Sequence, residues 1–281
     1  MKTLLAAIAV GLAAAASSSY AWQHDSAPEA EIAWEAVGAF ESPESAAIAH
    51  KHQAIFVSNV NGYEKNGLGF ISMLALDGTI QDLQWLTGLN APTGLTVDGD
   101  VLWAVDYDRL VKISITDQQV LEAYPAPDAE ETPLLNDVAV GPNGGVFVTG
   151  SNSNSIYQLS ENMLLLWIRD DEHFKYANGI WVGKDRVIVA AYHLMSVDRA
   201  SKQIVPMGHQ DVLFDLEGVK ADADGSLYVS LIGSRPLYRL NAEGPPIPIF
   251  QTEPYLADFD VAGRKLVGPT GPNKITALKI H

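Results

Sequence analysis

The hydrophobic and polar positions of this chain follow one template, repeated. Residues 136–150, NDVAVGPNGGVFVTG, align without a gap on residues 217–231, EGVKADADGSLYVSL. Residues 93–106, TGLTVDGDVLWAVD, residues 178–191, NGIWVGKDRVIVAA, and residues 44–58, ESAAIAHKHQAIFVS, match within a small shift. Each unit is a polar residue, a short alternating apolar run, a Gly/Asp/Asn turn, and a longer apolar run. Alternation with period two predicts strands, and the turn between them predicts a hairpin. The units start at Glu44, Thr93, Asn136, Asn178 and Glu217, and a sixth start near Asp258 keeps the period, giving spacings of 49, 43, 42, 39 and 41 residues. Self-similarity at that period, built only from strands, predicts a six-bladed β-propeller of four-stranded antiparallel blades.

Further runs fill out the blades. Residues 70–76, 110–114, 155–159, 194–198, 236–240 and 274–280 read as third strands or their equivalents, and 161–167 as a turn leading into a fourth. Trp103 and Trp181 fall in strand positions, where packing between blades is their ordinary role. Ile32–Val37 alternates weakly ahead of the first repeat. It is expected to pair with the last blade and close the ring, which removes the open sheet edges. The propeller is therefore expected over residues 32–281, preceded by a loose polar arm over 22–31.

The first 21 residues belong to a different class. Lys2 supplies a short positive region, 4–16 are apolar, and Ser19-Tyr20-Ala21 offers a cleavage site before Trp22. This predicts a secretory signal peptide cleaved after Ala21, and so a secreted or periplasmic protein with no membrane segment after cleavage. With no cysteine in 281 residues, disulfides and zinc–thiolate sites are excluded. The formal charge is −16, with no basic run, which argues against nucleic acid as a partner. A monomer acting on a small-molecule substrate or ligand is expected.

Candidate chemistry follows from the repeat. In a four-stranded blade, the entry to strand one and the exit from strand two lie on the same face. That face gathers Glu44, Thr93, Asn136, Asn178, Glu217 and Asp258 from the entries, and Asn59, Asp106, Asn152, His193 and Arg235 from the exits. Two glutamates and two asparagines at one repeat offset offer hard oxygen donors suited to Ca²⁺. The same residue types also serve as plain turn chemistry at strand starts. His193 is either a functional rim residue or a hydrogen-bonded loop histidine. Arg235 either clamps a substrate or forms a surface ion pair. No Gly-x-Ser-x-Gly elbow, phosphate loop or His-Glu-x-x-His occurs.

These motifs resemble the senescence-marker-protein/gluconolactonase/luciferin-regenerating-enzyme family, with paraoxonases and NHL-repeat propellers as broader relatives. The resemblance covers about residues 44–279. It implies a divalent metal, Ca²⁺ by its donors, held by Glu44, Asn178 and Glu217, with Asn136 contacting substrate or a metal-bound water. Glu217 stands where the family has an aspartate that also acts as base. Leu134 stands where the family has a sugar-binding arginine, so a less polar substrate than a sugar lactone is implied. Two functions stay open: a Ca²⁺-dependent lactonase or esterase with Glu217 as catalytic base and Asn136, His193 and Arg235 binding substrate, or a non-catalytic ligand- or protein-binding module.

Overall fold

The computed structural model describes residues 29–131 and 133–281. The expected export signal and most of the polar arm lie outside the described residues. Strand β1 spans Ala30–Val37, beginning two residues ahead of the expected Ile32. Blade one comprises β2 (Pro43–Ala49), β3 (Ala54–Asn59), β4 (Gly69–Ala75) and β5 (Ile80–Leu89). Blade two comprises β6 (Pro92–Asp98), β7 (Val101–Asp106), β8 (Arg109–Ser114) and β9 (Gln119–Pro125). Blade three comprises β10 (Leu135–Val140), β11 (Val146–Gly150), β12 (Ser155–Ser160) and β13 (Met163–Arg169). Blade four comprises β14 (Ile180–Val182), β15 (Arg186–Ala190), β16 (Leu194–Asp198) and β17 (Ile204–Pro206). Blade five comprises β18 (Leu216–Ala221), β19 (Leu227–Leu231), β20 (Pro236–Leu240) and β21 (Ile247–Gln251). Blade six is built from β22 (Asp260–Ala262), β23 (Lys265–Gly271), β24 (Lys274–Ile280) and β1, in that order from the axis outward. The fold is a six-bladed β-propeller of four-stranded antiparallel blades.

Burial follows position in the blade. All seven residues of the innermost β2 are buried, because neighbouring strands cover both of its faces. The outermost β9 shows only Tyr124 buried. The core is divided among the blade interfaces. Phe56, Ile71 and Trp85 of blade one pack on Leu95, Leu102 and Ile113 of blade two. Similar clusters fill the remaining interfaces, closing with Val57 and Leu74 of blade one against Val267 and Ile275 of blade six. Tryptophans serve these seams. Trp85 meets Phe56 at 4.6 Å between ring centroids, and Trp103 and Trp181 join the seams between blades two and three and between blades four and five.

Ring closure is covalently economical: one strand from the N-terminus completes the last blade. β1 pairs antiparallel with β24 from Ala30↔Ile280 to Val37↔Lys274. Trp34 then reaches across to blade one, where its indole N–H donates to the Leu76 carbonyl at 3.2 Å. The Trp34 ring lies where a Cβ on Gly78 would stand, 2.5 Å away, and Gly78 has φ of +89°. Both observations require glycine there.

Deleting residues 22–38 is predicted to lower the melting temperature and to cause self-association, because it uncovers the outer edge of β24. Thermal melting and light scattering check this; a truncated monomer with the wild-type melting temperature contradicts it.

Candidate functional site

The innermost strands begin with a shared irregularity. Register slips occur between Pro43 and Ala46, Pro92 and Leu95, Leu135 and Val138, and Leu216 and Val219. A bulge re-aims side chains at a strand end. These four contain Glu44, Thr93, Asn136 and Glu217. Each bulge frees a backbone N–H that needs an acceptor. In three blades a hydroxyl from the second strand supplies it: Ser58 Oγ for Ser45 N–H at 2.9 Å, Thr149 Oγ1 for Asp137 N–H at 3.0 Å, and Ser230 Oγ for Gly218 N–H at 2.9 Å. Thr149 passes its own proton to the Asn178 carbonyl of the next blade at 2.5 Å. Blade four has Ala190 instead, and Asn178 is fixed by its backbone N–H donating to the Ala190 carbonyl at 2.8 Å.

The residue after three of the entries, Thr93, Asn178 and Glu217, is a glycine that touches the next blade. A Cβ on Gly94 would stand 2.4 Å from the Asp137 Cα, one on Gly179 2.7 Å from the Glu217 carbonyl oxygen, and one on Gly218 2.9 Å from Asp258 Oδ1. Such approach brings the entry side chains together at the axis. The Asn178 amide N–H donates to Glu217 Oε2 at 3.0 Å, and the Asn136 amide N–H donates to Ser151 Oγ at 3.1 Å. With each Nδ2 so engaged, each Oδ1 points elsewhere. Asn136 Oδ1, Asn178 Oδ1 and Glu44 Oε2 are all buried and have no donor. Glu44 and Asn178 are only 8% and 9% exposed, so bulk water does not readily compensate them.

Charge crowds the same place. Burial pushes the Glu44 carboxyl well above its ordinary 4.5, and the charges of Glu217, Asp258 and Asp137 push it further. Burial and then Asp258 raise Glu217 from 4.5 to about 7, against the opposing Asn178 hydrogen bond. The mouth is thus a set of acceptors and reluctant anions without a counter-charge of its own.

A counter-charge lies beside it. Lys220 Nζ stands 2.7 Å from Asp137 Oδ2 and 3.2 Å from Asp258 Oδ1. Asp137 also accepts the Ile180 N–H at 2.8 Å. Asp258 Oδ2 accepts from Ser45 Oγ at 2.7 Å, and that Oγ accepts the Leu95 N–H at 3.2 Å. Blades one to six are thereby joined through one chain of polar contacts. Asp137 is raised to about 7 by burial and Asp258, with Lys220 working the other way, and the two aspartates hold Lys220 strongly protonated against its burial.

The exits from strand two mostly brace loops. Asp106, fully buried, accepts the N–H groups of Asn90 and Ala91 and two contacts from Arg109. Asn59 accepts the Glu41 N–H at 3.0 Å and donates to Ser72 Oγ. His193 Nδ1 lies 3.1 Å from the Leu213 carbonyl; since a carbonyl only accepts, Nδ1 carries the proton and Nε2 is left as the acceptor of the neutral ring. Arg235 donates to the Phe214 carbonyl at 3.0 Å, lies over the Phe214 ring, and stands 3.8 Å from Asp215. His193 and Arg235 therefore both hold the 207–215 connection. Tyr63 and Tyr255 border the mouth: burial raises both phenols, and the charges of Glu44 and Glu217 raise them further. Tyr63 is 56% exposed and sits on the β3–β4 connection.

Sequence reasoning placed Glu44, Asn136, Asn178 and Glu217 at one end of the channel, where they lie. It missed Asp137, Lys220, Tyr63 and Tyr255. Lys220 carried a signal, since its repeat equivalents Ala47, Thr96, Ala139 and Trp181 are all uncharged. Among the described residues no three carboxylate or imidazole side chains form a metal-binding group; the donor set at the mouth is instead two carboxylates and two amides.

Comparison with known proteins adds the fold. No family profile matches the sequence, and no curated protein is significantly similar to it. Among solved structures, a gluconolactonase from Xanthomonas campestris superposes with a TM-score of 0.69 at 14% identity, over 87% of this chain and 88% of its own. A streptogramin B lyase gives 0.62 at 13%, over 90% and 98%. A catalytically inactive virginiamycin B lyase variant from Staphylococcus aureus, solved with quinupristin, gives 0.60 at 14%, over 90% and 100%. At such identities the likeness is one of fold.

Replacing Lys220 by Met leaves Asp137 and Asp258 buried without their cation, and is predicted to lower stability by about 3–5 kcal/mol. Adding Asp137→Asn to that variant recovers part of the loss. Denaturant unfolding of the three proteins measures it, and a K220M protein as stable as wild type contradicts the network.

Proposed function

We propose that the propeller holds a divalent cation, Ca²⁺ by its donor set, at the channel mouth and hydrolyses ester or lactone carbonyls there. The observation that carries this reading is the trio of buried acceptor oxygens without donors, Glu44 Oε2, Asn136 Oδ1 and Asn178 Oδ1, beside Glu217. A buried polar atom left unpaired costs about 1–3 kcal/mol. A hard cation relieves all three and neutralises the adjacent carboxylates, whereas an uncharged donor relieves one. Ca²⁺ accepts carboxylate and amide oxygens with waters completing its shell. Gluconolactonase as a fold neighbour is consistent with carbonyl hydrolysis on this scaffold.

In this reading Glu44, Asn178 and Glu217 hold the cation, with Asn136 close by. The bound cation would polarise a carbonyl as a Lewis acid. Glu217 would take a proton from the attacking water, and Asn136 would orient that water or the substrate. His193 and Arg235 position the 207–215 connection at the rim and bind substrate from there. The protein works outside the cytoplasm as a monomer, exported on the signal ending at Ala21.

Proton release from a panel of lactones and esters, with Ca²⁺ and with chelator, tests the reaction. Turnover that chelator abolishes supports it. Ca²⁺ binding with no turnover on any member points instead to a binding module. Thermal melts test the cation separately. A hundredfold excess over the dissociation constant stabilises the folded state by about 2.7 kcal/mol. For a chain of this size that is a rise of roughly 5–10 °C. The sign of the pH dependence follows from Glu217. Its folded value is raised, so in metal-free protein its contribution to stability is complete below 4.5 and is lost as pH rises through about 7. Ca²⁺ requires the ionised form. Its stabilisation is therefore predicted to be full at pH 8 and nearly absent at pH 5. Glu217→Gln removes most of the Ca²⁺ effect and makes the metal-free protein more stable at pH 8. Melting that ignores Ca²⁺ at both pH values overturns the cation site.

A further inference from the structure

The two faces of the ring differ in one residue class. The connections at the far face, such as 50–53, 99–100, 141–145, 183–185 and 222–226, are short and polar, and none carries phenylalanine, tyrosine or tryptophan. The connections at the mouth carry the buried Phe40, Phe174 and Phe259 and, less buried, Tyr63, Tyr107, Tyr176, Tyr192, Phe214 and Tyr255. The three buried phenylalanines belong to the seams between blades, whereas the six less buried rings join none of those seams.

Most of these rings are already engaged by a cation. Lys65 lies over Tyr107 at 6.0 Å, Lys175 over Tyr176 at 5.1 Å and Tyr192 at 6.0 Å, and Arg235 over Phe214 at 4.4 Å. Tyr63 and Tyr255 differ in flanking the acidic centre itself. Tyr63 sits on the β3–β4 connection, whose start is tied to the approach to Glu44 by the Val60 N–H to Ser42 carbonyl and the Asn61 N–H to Glu41 carbonyl, at 3.3 and 3.2 Å. Tyr255 lies three residues before Asp258, whose N–H donates to the Glu44 carbonyl at 3.0 Å. These backbone ties bring both connections next to the Glu44 segment, and the charges of Glu44 and Glu217 act on both phenols. Gly62 and Gly67, at φ of +100° and +72°, bracket Tyr63 on its connection.

We propose that Tyr63 and Tyr255 are specificity-determining walls of the mouth, and that the ligand presents a flat apolar face, an aryl or extended unsaturated group, to them while its polar end meets the ring of oxygens. The physical grounds are direct. An exposed phenol beside buried carboxylates offers apolar area next to a polar anchor, and stacked aromatic pairs gain affinity beyond the area they bury. The inference rests on the site proposed above but not on the reaction proposed for it.

The test uses the full mature protein with Ca²⁺ and two lactones that differ only in the side group, γ-phenyl-γ-butyrolactone and γ-methyl-γ-butyrolactone. The phenyl compound is expected to have a kcat/KM about tenfold or more higher. Tyr63→Ala and Tyr255→Ala each reduce that preference several-fold, mainly through KM, while Tyr63→Phe and Tyr255→Phe keep it. Melting temperatures confirm that the variants are folded, which is expected because Tyr63 lies on an exposed connection. If neither lactone is hydrolysed, saturation-transfer NMR reads binding instead. Phenyl-lactone binding that is lost in the Ala variants and kept in the Phe variants then supports the walls while the hydrolase reading fails. Equal handling of the two lactones, or a preference unchanged by both Ala substitutions, overturns the inference.

Discussion

Six strands that converge on one axis bring their first residues into contact, whatever charges those residues carry. Here the meeting gathers Glu44, Asp137, Glu217 and Asp258 at one end of the axis, with the Lys220 ammonium between Asp137 and Asp258. Desolvated carboxylates at such spacing repel one another unless each finds a proton, a donor or a cation. Asp137 and Asp258 find Lys220, backbone N–H groups and a serine hydroxyl. Their pairing ties the blades to each other through polar contacts that the apolar seams do not supply. The apolar seams give the ring its stability; the charged axis sets how the blades meet and so where the entry side chains point.

What Lys220 leaves uncompensated is the functional opportunity. Glu44 and Glu217 lie beyond its direct contacts, and the amide oxygens of Asn136 and Asn178 turn away from their own hydrogen-bonded nitrogens. The strand-start bulges are the device that makes this possible. They twist the entry residues towards the axis, and Ser58, Thr149 and Ser230 satisfy the backbone that the bulges disturb. A regular strand start would project Glu44, Asn136 and Glu217 differently, whereas Asn178 reaches the mouth from a blade without a bulge. Tyr63, Tyr107, Tyr176, Tyr192, Phe214 and Tyr255 lie in connections on that same face, so the binding and chemistry proposed above would share one end of the ring.

The fold was legible because each blade repeats the same physical problem. Period-two alternation, glycine and aspartate turns and a spacing near 40 residues are local signals, and they located the strands as well as the closing strand from Ile32. The entry residues were legible for the same reason, since a shared repeat offset becomes a shared position in space. Lys220 and Asp137 were not read as partners, because their contact joins blades three and five across 83 residues of chain. Tyr63 and Tyr255 lie in connections of unequal length, where the repeat no longer aligns one blade with the next. His193 and Arg235 were correctly placed at the rim, but their bonds to the Leu213 and Phe214 carbonyls depend on the path of a connection that alternation does not encode.

The central claim is that the unpaired oxygens of the mouth are a cation site. Terbium, a hard trivalent analogue of Ca²⁺ with strong anomalous scattering, reads this directly in a crystal of the mature protein. The account predicts an anomalous peak among Glu44, Asn136, Asn178 and Glu217, at about 2.3–2.6 Å from the unpaired oxygens, with Lys220 still on Asp137 and Asp258. A crystal that binds terbium only at surface carboxylates, with no peak at the mouth, contradicts it.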